Sequence, residues 1–189
     1  MGLTETGGWY LGLGVGTNGS IVTTPDTSLL SSSPGSGFLT LNGYAGRGGA
    51  TNTSRASSVS RSAGAAGAAG TFLVVPFRRW DGTIENLQTI SSGTVAVDTA
   101  VPTPAMVANS SPFRRRVLVI AGGRASGIAT TFDKPTLTAW SNTSGGATGE
   151  APLHWFNGDA ASALAAETFT LPAGWSYVAA AFDLVPALG

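Results

Sequence analysis

Past residue 70 the sequence keeps repeating one unit, a short run of β-branched and aromatic side chains closed by a turn signal. The runs are 71–77 (TFLVVPF), 94–101 (TVAVDTAV), 116–121 (RVLVIA), 136–141 (TLTAWS), 151–157 (APLHWFN), 167–171 (ETFTL) and 175–184 (WSYVAAAFDL). Between them stand Asp81-Gly82, Ser92-Gly93, Gly122-Gly123, Ser144-Gly145-Gly146, Asn157-Gly158 and Ala173-Gly174, pairs that relax the backbone into tight turns. Short strands at this spacing, with no helical pattern alternating between them, bury their apolar faces by packing as two antiparallel sheets. The expected fold is all-β, an antiparallel β-sandwich.

Two runs carry a register. Residues 116–121 are continuously apolar after the arginine, the pattern of a strand buried on both faces. In 175–184, Val178, Ala180, Phe182 and Leu184 share one face and pack on the second sheet. Trp175, Tyr177 and Asp183 share the other face, and its aromatics predict a covered surface. Pro76 cannot donate to a ladder, so 71–77 is expected at a sheet edge. Only 160–166 (AASALAA) has a helix-like composition, and it is short enough to be a single turn.

The first 70 residues differ. They are Gly, Ser, Thr and Ala interrupted by apolar islands at 9–15, 21–22, 29–30 and 38–41, too short and too far apart to enclose a core among themselves. Such a segment is ordered only by lying on something else, either its own C-terminal domain or a neighbouring subunit. Residues 47–70 (RGGATNTSRASSVSRSAGAAGAAG) are of low complexity and read as a linker or extended arm. The expected organisation is an N-terminal arm over 1–70 and a sandwich domain over 71–189.

Composition narrows the chemistry. The 189 residues hold 10 Lys+Arg against 10 Asp+Glu and no Cys. Balanced charge leaves no electrostatic footprint for nucleic acid, and the absence of cysteine rules out disulfides and thiolate metal sites. Neither a secretion signal nor a membrane-length apolar stretch is visible at the N-terminus. Gly14-Val15-Gly16-Thr17-Asn18-Gly19 has the glycine spacing of a dinucleotide loop, but it is followed by β-branched residues and Pro25, not by the helix such a loop requires. His154 is the one histidine and sits within a predicted strand, with no nucleophile-elbow motif to serve. Asp133, Glu150, Asp159 and Glu167 could converge at one loop end, the only arrangement of acids that would suit a hydrolase. No catalytic, cofactor-binding or metal-binding residue is expected, and no cofactor.

Two features remain as candidate contact sites. Arg78-Arg79 precede Trp80, and Arg114-Arg115-Arg116 follow Phe113, two basic clusters in a chain of which only 11% is charged. Consecutive side chains on a strand alternate in direction, so these arginines divide between solvent, a partner interface and acids such as Asp81, Glu85 and Asp183. Trp140, Trp155, Trp175 and Tyr177 are candidates for stacking on a glycan or on a partner protein, against the alternative that they fill the core.

From Arg114 onward the order of RVLVIAGGR, KPTLTAWSNTSGG, APLHWFNGDAASA and GWSYVAAAFDLVPA resembles the jelly-roll or lectin-like β-sandwich modules of bacteriophage and phage-like virion proteins. The resemblance implies a jelly-roll-like, non-enzymatic structural protein on a virion, made in the host cytoplasm and placed as a capsid decoration or a tail or fibre component. Its expected partners are other virion structural proteins and further copies of itself, met through the N-terminal arm. Neither nucleic acid nor membrane insertion is expected. The alternatives are an adhesin that binds a host surface glycan and a hydrolase acting on surface polysaccharide.

Overall fold

The computed structural model describes residues 8–17, 21–24, 27–34, 39–47, 58–61, 70–111, 113–125, 140–142, 145–146, 149–150 and 153–187. In chain order the strands are β1 (Trp9–Thr17), β2 (Ile21–Thr24), β3 (Thr27–Ser32), β4 (Leu39–Arg47), β5 (Ser58–Arg61), β6 (Gly70–Phe77), β7 (Trp80–Ser92) and β8 (Thr99–Pro102). They continue as β9 (Arg115–Ala125), β10 (Trp140–Asn142), β11 (Gly145–Gly146), β12 (Gly149–Glu150), β13 (Leu153–Asp159), β14 (Thr168–Leu171) and β15 (Trp175–Pro186). Every pairing among them is antiparallel.

The expected sandwich is present. One sheet runs β3-β4-β1-β6, and the other runs β10-β13-β9-β15-β7, with β12 and β11 extending from β9. Leu11, Leu13 and Val15 of β1 and Leu39 and Leu41 of β4 meet Val117, Val119, Val178, Ala180 and Phe182 of the facing sheet. The face expected for 175–184 is the one that packs there. In β1 the apolar residues alternate with Gly12, Gly14 and Gly16, so the first glycines of the dinucleotide-like spacing belong to a strand, on its face away from the first core, and Asn18 and Gly19 lie outside the described residues.

The apolar islands at 9–15 and 29–30, and residues 39–41 of the fourth, thus lie on this chain's own C-terminal strands, and β1 is hydrogen-bonded directly to β6. A boundary at residue 70 therefore falls within one sheet. Of the low-complexity stretch 47–70, residues 48–57 and 62–69 lie outside the described residues, and 58–61 pair with β2. β6 is an edge strand, as Pro76 requires.

The second face of the larger sheet is also covered. Residues 95–109 run antiparallel to 160–175 as a ribbon, with β8 paired to β14 and Met106 exchanging two 2.9 Å backbone bonds with Leu164. Beneath it Leu118, Ile120, Trp175, Tyr177, Ala179 and Ala181 form a second core with Val101, Met106, Leu164 and Leu171. This explains why 117–121 are apolar without alternation: Val117 and Val119 serve one core, Leu118 and Ile120 the other. The cover over Trp175 and Tyr177 comes from the C-terminal part of the chain. Residues 160–166 form a turn and the bridge to Met106, not a helix.

Two expectations need correction. The strand expected over 94–101 begins only at Thr99, and Val97 is exposed. The alternation of Val95 and Val97 imitates a strand, yet this segment serves as a cap on β15: Val95 exchanges backbone bonds with Trp175 and Gly174. Conversely, 80–92 is a 13-residue strand, in a segment where the sequence offers only the turn signals Asp81-Gly82 and Ser92-Gly93. It lies at the sheet edge, paired only with β15, where exposed polar residues cost little. Its periodicity is broken by irregularities opposite Phe182 and Val185, the first holding Asn86 at φ 56°, as a bulge residue in the left-handed region.

Candidate functional site

The two arginine clusters meet at one end of the sandwich. Arg78 and Arg79 form the tight turn from β6 to β7, and Arg115 opens β9 beside the last residues of β13 and β15. Strand alternation then divides the triplet. Arg114 and Arg116 turn toward the ribbon, while Arg115 turns toward the first core.

On the ribbon side the charges are spent internally. Arg116 is 2% exposed and forks onto Asp183, which is 0% exposed, with Nε to Oδ1 at 2.8 Å and Nη2 to Oδ2 at 3.1 Å. Its remaining donors reach the carbonyls of Ser162 (2.7 Å) and Val107 (2.8 Å), one on each limb of the ribbon. Asn109 and Asn86 donate to the same Asp183 carboxylate at 3.1 and 3.2 Å. Burial by itself would raise the Asp183 pKa; the donors Arg116, Asn109 and Asn86 and the Arg116 charge outweigh it and hold the carboxyl below its ordinary value. Arg114 pairs with Glu85, and this hydrogen bond, with help from Asn109 and against some desolvation, lowers the Glu85 pKa.

On the opposite side lies a cleft of about 400 Å³. Its floor is apolar, made of Val75, Phe77, Trp80 and Leu184, and Arg78, Arg79 and Arg115 surround it. Arg115 Nε donates to Asn157 Oδ1 at 3.3 Å. Phe113 stands at the wall, 78% exposed and at φ 64°. The floor is braced by edge-to-face contacts that run from Trp9 to Trp80, from Trp80 to Phe77 and from Phe77 to Trp155, with centroids 6.0–6.4 Å apart. These rings come from β1, β7, β6 and β13, so both sheets hold the cleft in shape.

The aromatic candidates do not form a platform. Trp175 and Tyr177 are buried in the second core, where the Tyr177 hydroxyl donates to the Pro102 carbonyl at 2.6 Å. Burial raises the Tyr177 pKa. Neither ring offers a face to solvent, which corrects their assignment as stacking residues. Trp155 is half-buried on the opposite face, against the first core. The Trp140 backbone pairs with Trp155, and its side chain lies outside the described residues.

Two of the four acids are set far apart along β9. Glu150 pairs with Arg124 and Asp159 with Arg115, positions nine residues apart along β9, or roughly 30 Å at the strand rise. Asp133 lies outside the described residues, and Asp159 accepts the Ala161 amide at 2.9 Å within its own turn. His154 is buried on β13 opposite Ile120. No group of three or more His, Cys, Asp or Glu side chains suited to a metal ion occurs among the described residues.

Phe113, Asn157 and Leu184 belong to the cleft and were not legible as site residues. The one sequence signal was the aromatic in front of the arginine triplet. No family model, curated protein or solved structure matches the chain.

Proposed function

We propose that this chain is a non-enzymatic structural protein of a virion, displayed on a phage particle as a capsid decoration or a tail or fibre component. One observation carries the reading: the side chains best suited to chemistry or ring stacking are built into the scaffold. Arg116 and Asp183 tie the ribbon to the sheet, and Trp175 and Tyr177 fill the core beneath it. A scaffold with little charge, which closes Arg116 and Asp183 inside itself, suits a protein covered by neighbours. The pattern-level resemblance to virion modules supplies the setting. The adhesin reading loses two of its four stacking residues to the core, and the hydrolase reading has Glu150 and Asp159 set apart along β9.

Strands β1, β3 and β4 are engaged in this chain's own sheet. The surface we assign to assembly is therefore the arginine-bordered end, not an N-terminal arm. Light scattering on the isolated chain, followed by imaging of intact particles that carry a labelled copy, tests the reading. We expect regularly spaced density at the particle surface. A chain absent from purified particles would refute it.

A further inference from the structure

We propose that residues 87–92, the second half of β7, pair antiparallel with the same residues of another copy of this chain, so that the larger sheet continues across a two-fold axis. This contact is separate from the arginine-bordered end. It does not depend on the virion reading, because self-association in solution tests it without a particle.

The backbone carries the first part. β7 lies at the edge of the larger sheet, and among the described residues its one ladder is with β15. On an edge strand every second residue turns its N–H and C=O outward, and such a row accepts a further strand. The first half of β7 is closed to one by its own side chains. The Thr83 amide donates to Asp81 Oδ1 at 2.8 Å, the Thr83 carbonyl accepts the Trp80 indole N–H at 2.5 Å, and the irregularity at Asn86 follows. The second half keeps an unbroken register, from Gln88 opposite Ala181 to Ser92 opposite Tyr177. Among the described residues no side chain bonds its backbone.

Exposure carries the second part. Asn86, Leu87, Gln88 and Thr89 are four consecutive exposed residues, so neither core nor ribbon reaches past the strand there. Leu87, 39% exposed, is the one large exposed apolar side chain on a strand among the described residues; Val97, Val107 and Phe113 stand in loops. Ile84 packs against the first core and Ile90 against the second, which fixes the edge in place before any partner arrives.

Composition selects the partner. Residues 86–92 (NLQTISS) carry no charge, so pairing them with themselves brings no like charges together. Lysine and proline, which keep natural edges from pairing, do not occur in 80–92, whereas β6 at the edge of the other sheet has Pro76. Identical antiparallel strands close on a two-fold axis, and Leu87 of each copy then lies beside Thr89 to Ser91 of the other. Six residues a side make a small contact, so the dimer is weak and its population rises with concentration.

Sedimentation of the full chain at concentrations up to about 1 mM should show a monomer–dimer equilibrium. Gln88→Lys/Thr89→Lys sets like charges beside the axis and should raise the dissociation constant at least about tenfold, with thermal unfolding unchanged. Thr170→Lys, exposed on β14, should leave the equilibrium as it is. The chain has no cysteine, so one introduced thiol reports one contact. Under mild oxidation Thr89→Cys should give a disulfide-linked dimer at least about tenfold faster than Val97→Cys in its exposed loop.

A monomer at every concentration, a dimer insensitive to the lysine pair, or equal cross-linking of the two thiols would overturn the proposal. So would species that grow beyond the dimer, since a two-fold contact closes on itself. Should the lysine pair lower the melting temperature, the cross-linking rates decide alone. A monomeric chain found on particles sinks this contact and spares the virion assignment; a dimer absent from particles does the reverse.

Discussion

Arg116 and Asp183 are direct neighbours across β9 and β15, joined by two hydrogen bonds in a position closed to solvent. The same guanidinium holds Ser162 and Val107, so one side chain fastens both limbs of the ribbon to the sheet.

Asp183→Leu strands a buried guanidinium and should cost about 3–5 kcal/mol of stability. Adding Arg116→Met removes that orphaned charge, so the double variant should recover about half of the loss. Urea denaturation of the two variants and wild type measures both numbers. A double variant less stable than Asp183→Leu would mean that the bonds to Ser162 and Val107, not the ion pair, hold the ribbon.

Acid should loosen the fold through the same carboxylates. Asp183 and Glu85 have pKa values below the ordinary carboxylate range in the folded state. The unfolded chain thus binds protons first, near pH 4, and the stability these groups supply is complete above about pH 5 and lost as pH falls through the folded values. Tyr177 acts at the other extreme: its pKa is raised by burial, so its contribution is intact below about pH 10 and lost as pH rises further. Denaturant midpoints measured across pH should give a plateau with a fall at each side. Asp183→Asn should flatten the acid limb.

Gly82 sits at φ 91°, and an added β-carbon would lie 2.6 Å from the Trp9 ring. Gly82→Ala should therefore cost at least about 1–2 kcal/mol from backbone strain, plus the displacement of Trp9 from Trp80. Gly93 has open space around it, and Gly93→Ala should stay within about 0.5 kcal/mol of wild type. Equal effects in thermal unfolding would show that Trp9 does not pack there.

Removing residues 1–69 should abolish the cooperative fold. The truncation takes away Leu11, Leu13, Val15, Leu39 and Leu41, which at about 1.5–3 kcal/mol each approach the ~5–15 kcal/mol stability of a whole domain. The expected product binds a hydrophobic dye and lacks a sharp melting transition. A truncated chain that melts sharply would restore the arm-and-domain organisation.

Residues 116–121 and 175–184 announced themselves because burial on both faces, or on one, leaves a period in the sequence that any reader of the chain can see. The same rule failed at 80–92, where an edge position and two irregularities erased the period, and at 94–101, where a cap copied it. Strands β1, β3 and β4 were hidden by scale: each island is short and gains meaning only from the sheet it lies on.

Local pattern by itself determined the all-β class, the apolar faces of β9 and β15, the edge position of β6 and the division of consecutive arginines between opposite sides. Tertiary structure alone decided which segments meet. It put Arg78 and Arg79 beside Arg115, closed Trp175 and Tyr177 under a ribbon, and built a cleft from β6, β7, the entry to β9, β13 and β15. The physical reason is range: side-chain alternation is set by the pleat within a few residues, whereas pairing partners are set by the joint burial of apolar faces far apart in the chain.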